Sequence, residues 1–107
     1  MRRGEVWWAR LPAPAGRRPV LLLSRDKACA IRTSVTVAVI TRRVRNIPTE
    51  VPLGPSDGLP QACVVNLDDI LTIRKSLLEE RLTLLGEEKM RLVAQAVSFA
   101  LDLEEAD

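Results

Sequence analysis

The sequence has no histidine and no tyrosine, one phenylalanine, two tryptophans and two cysteines. Without imidazole or phenol, a catalytic site here has to lean on positioning and on stabilisation of developing charge. Cys29 and Cys63 are far apart, lie in apolar surroundings and have no histidine with which to share a metal. They read as reduced filler with no metal or other cofactor, a disulfide being the alternative. No apolar run reaches the length of about 18 residues that a membrane helix needs. Met1-Arg2-Arg3-Gly4 leads into a charged, aromatic strand instead of a signal segment, so a soluble cytoplasmic protein with no membrane partner is expected. Linkers and internal repeats are missing too, and 107 residues suffice for one domain, residues 1–107, with its own core.

Positive charge is plentiful and unevenly placed. Residues 1–50 carry eleven Lys and Arg against three Asp and Glu, whereas residues 51–107 carry five against eleven. Such a split fits a basic face that attracts a polyanion, and it equally fits a basic half that pairs with its own acidic half.

The chain is organised around Gly16-Arg17-Arg18-Pro19-Val20-Leu21-Leu22-Leu23-Ser24. Gly16 can adopt backbone angles closed to other residues, Pro19 pushes Arg18 into an extended conformation, and the apolar run reads as a strand over Val20 to Ser24. Arg18 is thus anchored at a strand mouth, although two adjacent arginines by themselves also suit a solvated turn. Glu5-Val6-Trp7-Trp8-Ala9-Arg10-Leu11 reads as a preceding strand, joined to it as a hairpin through Pro12 to Gly16. Trp7 and Trp8 then face opposite ways, one toward the core and the other free to stack on a base or to cover an apolar edge.

Ser24 reads as the cap of a short helix or turn ending near Ile31, and Ser34 to Thr41 as a central strand rich in β-formers. A second basic cluster, Arg42, Arg43 and Arg45, follows Thr41. Thr49 to Leu53, Ala62 to Leu67 and Ile70 to Ile73 read as further short strands, with Asp68-Asp69 as a bulge or turn. A helix starts near Gly86 or Glu87 and carries apolar residues on two stripes: Met90, Val93, Ala94, Val97 and Leu101, then Leu92, Ala96, Phe99 and Leu103. So broad an apolar face calls for cover on two sides, by the strands and by a partner chain.

Arg3-Gly4-Glu5-Val6-Trp7-Trp8, Gly16-Arg17-Arg18-Pro19-Val20-Leu21, Val37-Ala38-Val39-Ile40-Thr41, Pro48-Thr49-Glu50-Val51 and Leu67-Asp68-Asp69-Ile70-Leu71-Thr72-Ile73-Arg74-Lys75 together resemble the MazF/PemK family of toxin endoribonucleases, in the family's order. The resemblance spans nearly the whole chain. It implies a mainly β, α+β fold: a small SH3-like antiparallel β-barrel of the CcdB/PemK type with a C-terminal helix. It also implies a homodimer, metal-independent cleavage of single-stranded RNA without cofactors, and inhibition by a cognate MazE-like antitoxin. By position, the family's catalytic arginine falls on Arg18 and its catalytic threonine on Thr41. The loop before Arg18 is shorter than is usual in the family, and Asp69 and Leu71 stand where the family often has a glutamine and a basic residue.

For such a site the chemistry is attack of the RNA 2′-hydroxyl on the neighbouring phosphorus. Arginine stays protonated, so Arg18 is assigned to charge stabilisation, with the capacity to hand a proton to the departing 5′-oxygen. Thr41 is assigned a hydrogen bond to a phosphate oxygen, and Asp69 is a candidate acceptor for the 2′-proton. Arg17, Arg42, Arg43, Arg45 and Asp69 are the expected RNA contacts. The competing expectation is a non-enzymatic module, either a CcdB-type toxin that binds DNA gyrase or a barrel that binds nucleic acid without cutting it.

Overall fold

In the computed structural model, residues 1–103 are described. β1 (Glu5–Arg10) and β2 (Arg17–Leu22) form the expected hairpin. α1 (Asp26–Ile31) leads into β3 (Ser34–Thr41), followed by β4 (Glu50–Leu53), β5 (Cys63–Arg74), β6 (Leu78–Leu84) and α2 (Glu87–Ala100). The strands make one antiparallel sheet in the order β4-β5-β3-β2-β1-β6, with β3 in its interior as its branched residues require. The fold is therefore the anticipated small antiparallel β structure with a C-terminal helix, built as a curled half-barrel whose edge strands are β4 and β6.

The curl is visible at Gly58, in the loop between β4 and β5. A Cβ built there would collide with the Thr83 side chain of β6, at the other end of the strand order, and the residue's φ is +95°. Only glycine satisfies both the left-handed backbone and this close approach.

Apolar residues are buried on both faces of the sheet. On one face Val6, Leu21, Ala38, Ile40, Val65 and Leu67 pack beneath Val93 and Ala96 of α2. On the other, Ala9, Val20, Leu22, Val37 and Val39 meet Cys29 of α1, with Trp7 half-buried against them. Period-two alternation along β2 and β3 assigns these sets, because successive side chains leave a strand on opposite faces.

Several expectations change in detail. β2 begins at Arg17 instead of Val20, since Arg17, Arg18 and Pro19 pair with Arg10, Ala9 and Trp8 of β1. The ladder to β3 starts only at Val20, so Pro19 lacks an N–H where that neighbour requires none. Ser24 does not cap α1; its Oγ accepts the Thr36 amide at 2.8 Å and ties the chain before the helix to β3. Ala62 to Leu67 and Ile70 to Ile73 belong to one strand, β5, whose pairing with β3 jumps from Asn66 opposite Val39 to Ile70 opposite Ala38. Leu67, Asp68 and Asp69 are the bulge in that jump. β6 had no sequence signal assigned to it, and it pairs with β1. On α2, Val93 and Ala96 are buried, whereas Ala94 is exposed.

Candidate active site

Arg18 is fixed by the hairpin. The Leu11 amide donates to Gly16 O at 3.0 Å and the Ala15 amide to Pro12 O at 3.1 Å, with Gly16 at φ +68°, which turns the loop back onto β2. This leaves the Ala15 carbonyl to accept Arg18 Nε at 3.0 Å. The guanidinium is held by one edge, and neither terminal nitrogen has a hydrogen bond or ion pair among the described residues. Those nitrogens form a fork suited to two oxygens of one phosphate.

Thr41 ends β3. Continuing the register Val20↔Val39 outward by two residues on each strand sets Arg18 opposite Thr41. Thr41 Oγ1 accepts the Arg43 amide at 3.2 Å, so its own hydrogen remains to be donated elsewhere.

Two clefts meet over this pair. The larger, about 500 Å³, is lined by Arg18, Thr41, Arg43, Arg45, Glu50, Asn66 and Asp69. The smaller, about 370 Å³, is lined by Arg18 and Thr41 with Trp8, Arg17, Arg42 and Gln61. A strand passing over Arg18 and Thr41 would thus find a cationic trough on either side of them.

The expected contacts divide between these clefts. Arg43, Arg45 and Asp69 border the larger, and Arg42 borders the smaller, where its guanidinium donates to Gln61 Oε1 at 3.4 Å. Arg17 also borders the smaller cleft but is already engaged. Its Nε donates to Glu79 Oε1 at 2.9 Å, its other end lies 3.7 Å from Glu80, and its guanidinium covers the Trp8 ring at 4.4 Å. Strand alternation explains why adjacent arginines have such different neighbours. Hydrogen bonds from Arg17 and then Arg10 hold the Glu79 carboxyl below the usual range. Part of the basic half is thus neutralised by β6, and part is not.

The paired aspartates separate as well. Asp68 Oδ2 accepts Thr49 Oγ1 at 2.6 Å, a structural bond within the bulge, while Asp69 borders the cleft. Burial pushes both cysteine thiols up, Asp26 adding to the effect at Cys29 and Asp57 at Cys63, so both stay protonated and inert near neutral pH. They are free cysteines.

Glu50, Asn66 and Gln61 were not singled out from the sequence as site residues. Glu50 lies in the Pro48-Thr49-Glu50-Val51 stretch, but its task appears only in three dimensions: Oε1 accepts the amides of Arg45 at 2.9 Å and Asn46 at 3.0 Å. It thereby pins the basic loop that follows Thr41.

The chain is similar to known proteins over nearly its whole length. Residues 2–101 match the model of the PemK-like, MazF-like toxin of type II toxin-antitoxin systems. The chain is 41% identical over 101 residues to the probable endoribonuclease MazF5 of Mycobacterium tuberculosis, covering 94% of this chain and 92% of that protein. It is 36% identical over 111 residues to the endoribonuclease MazF of Staphylococcus saprophyticus, covering 96% and 92% respectively. Among solved structures, the Mycobacterium tuberculosis toxin MazF-mt6 superposes with a TM-score of 0.88 at 36% identity, over 94% of this chain and 99% of that one. An endoribonuclease from a mycobacterial species, solved in complex with its cognate antitoxin, gives 0.87 at 30% identity over 99% of both. The chain belongs to the PemK-like, MazF-like toxin family of type II toxin-antitoxin systems.

Proposed function

We propose that this chain is the cytoplasmic toxin of a toxin-antitoxin pair and cleaves single-stranded RNA, with Arg18 and Thr41 as its catalytic residues. The observation that carries the reading is that Arg18 and Thr41 both line each of the two clefts, each with unspent hydrogen-bond donors among the described residues. In-line attack of a 2′-hydroxyl on the adjacent phosphorus puts extra negative charge on the non-bridging oxygens. The Arg18 fork and the Thr41 hydroxyl are donors for those oxygens, and Arg18 is the candidate proton source for the departing 5′-oxygen. Asp69 is the candidate acceptor for the 2′-proton. The deciding experiment is incubation of the purified protein with mixed-sequence RNA in EDTA. Cleavage is expected, and intact RNA would assign the fold to a binding role instead.

Arg43 and Arg45 are proposed to hold the RNA backbone in the larger cleft, with Arg42 and Arg17 serving the smaller one. The Arg45 and Asn46 amides are tied to Glu50, so the loop presents its charges from a fixed backbone. Replacing Arg43 and Arg45 by alanine should lower the slope of log affinity against log salt by about 1.4, at roughly 0.7 per phosphate contact on a single strand. Affinity measured across a salt series checks this, and an unchanged slope would remove both side chains from the interface.

The protein is further proposed to be a homodimer that a MazE-like antitoxin inhibits. Beyond its buried face, α2 leaves Phe99 63% and Leu92 37% exposed, lining an apolar groove with Pro48 and Pro52 of the β4 edge. Burying such a face against a second copy would remove it from water. Trp7 and Trp8 do not add to it, Trp7 packing inward and Trp8 lying under Arg17. Light scattering should find a dimer at micromolar concentration, and the double variant Leu92→Asp, Phe99→Asp should raise its dissociation constant at least tenfold. A monomeric wild-type chain would overturn the proposal. An acidic antitoxin segment would draw on the same unpaired arginines as RNA and should therefore compete with it.

A further inference from the structure

The cations of this chain sort by whether they have a carboxylate partner. Arg10, Arg17, Arg81 and Lys89 all form ion pairs, with Glu79, Glu80, Glu5 and Asp57. The other cleft arginines, Arg18, Arg42, Arg43 and Arg45, form no ion pair among the described residues, which fits their proposed task. A third set, at the opposite end of β3 from Thr41, is also unpaired among the described residues: Arg25 and Arg32 flank α1, and Arg74 ends β5.

Arg25 and Arg32 converge on one open cavity, and Arg74 stands beside it, opposite the lining residue Ser34. Arg25, Arg32, Ser34, Thr36 and Thr72 line it. Arg74 is the direct cross-strand partner of Ser34, as Thr72 is of Thr36, so all four side chains leave the sheet on the same face. The Thr36 and Thr72 hydroxyls share a hydrogen bond of 2.9 Å, which leaves one hydrogen free to donate outward. The acids at this end do not neutralise the set. Asp26 accepts the Arg3 amide at 2.8 Å, and Glu87, which with Arg25 borders the neighbouring hollow, forms no ion pair among the described residues.

We propose that this cavity is a second RNA-backbone site, which holds phosphates of the same strand well away from the bond to be cut. Guanidinium groups beside the hydroxyl donors of the sheet present many donors in a lining more polar than apolar, which suits phosphate oxygens. Ile31 is the one large apolar side chain on the rim, so an acidic protein segment would find few anchors. Ser34 and Thr41 are seven residues apart on β3, a span of about 24 Å, and their side chains point to opposite faces. A short oligonucleotide filling the catalytic clefts cannot reach the cavity, whereas a strand several times longer can wrap round the sheet edge to it. Such tethering raises the occupancy of both sites on one molecule.

The test is the triple variant Arg25→Gln, Arg32→Gln, Arg74→Gln, with binding measured across a salt series for a short and a long single-stranded RNA. The expected result is a salt slope lower by about 2 on the long RNA, three contacts at roughly 0.7 each, and an unchanged slope on the short one. The rate of cutting the short RNA should also match wild type. Equal slopes for variant and wild type on the long RNA would overturn the proposal, as would an equal loss on both RNAs, which would report a general change of charge. Because binding is read separately from cutting, a protein that binds the long strand through this cavity but leaves it intact would refute the nuclease reading and keep the site. Single replacements of each arginine, expected to lower the long-RNA slope by about 0.7 apiece, supply the same readout if the triple variant does not fold.

Discussion

Replacing Arg18 with alanine should slow RNA cleavage by roughly 100-fold or more, the scale seen when one preorganised donor to a developing oxyanion is removed. The Arg18 terminal nitrogens have no partner among the described residues, so they are unspent before the substrate arrives, and their strongest hydrogen bonds form as charge builds on phosphorus. Affinity should therefore fall much less than turnover, because the neighbouring cleft arginines still hold the backbone. Arg18→Lys keeps the charge and loses the fork, and should recover only part of the rate. The fold should tolerate either change, since Arg18 is half-buried at the start of β2 and its one protein bond is to the Ala15 carbonyl. Thr41→Ala should cost roughly 10- to 100-fold, as expected for a single hydrogen bond to a charged group, and Thr41→Ser much less. Single-turnover rates with a thermal melt of each variant check the set. Near-normal cleavage by Arg18→Ala would remove it from the catalytic role.

The Arg18 side of this site was readable from local chemistry: a glycine, an arginine and a proline before an apolar run define a strand mouth without any partner being known. β3 was equally legible over Ser34–Thr41, because a run of branched residues dense enough for an interior strand has few other uses. β6 was not. Leu78-Glu79-Glu80-Arg81-Leu82-Thr83-Leu84 carries three charges in sequence at its middle, and an edge strand tolerates them because one side of its ladder is unpaired. Missing β6 also hid the ion pairs of Arg10 and Arg17, so the sequence could not say which adjacent arginine was neutralised and which was free. Asp68-Asp69 reads in sequence as a bulge or turn between two short strands, and it is a bulge inside one: β5 continues through it, the bulge being absorbed by pairing with β3 and by the Thr49 hydroxyl. Glu50 was invisible for a similar reason: its partners are backbone amides, which no side-chain pattern announces.

A single 2′-deoxynucleotide at the cleaved position should abolish cutting at that bond while leaving binding nearly intact. In the proposed mechanism the nucleophile belongs to the substrate, so the protein contributes position and charge and has no substitute when that oxygen is removed. Among the described residues, no side chain at the meeting of the clefts is placed to take over. The cysteine thiols are buried and held protonated, and the Thr41 hydroxyl already accepts the Arg43 amide and has no base assigned to it. Intact RNA should yield a 2′,3′-cyclic phosphate and a 5′-hydroxyl, since the attacking oxygen remains bonded to phosphorus when the 5′-oxygen leaves. Phosphate contacts of Arg43 and Arg45 do not depend on the 2′-group, so the deoxy-substituted strand should act as a competitive inhibitor with affinity within a few-fold of the all-ribose strand. End-group analysis of the products and inhibition by the substituted strand measure the two halves of this expectation. Continued cutting at the deoxy site would replace the 2′-hydroxyl with a water nucleophile, and Arg18 and Thr41 would then be stabilising a hydrolysis in place of a transesterification.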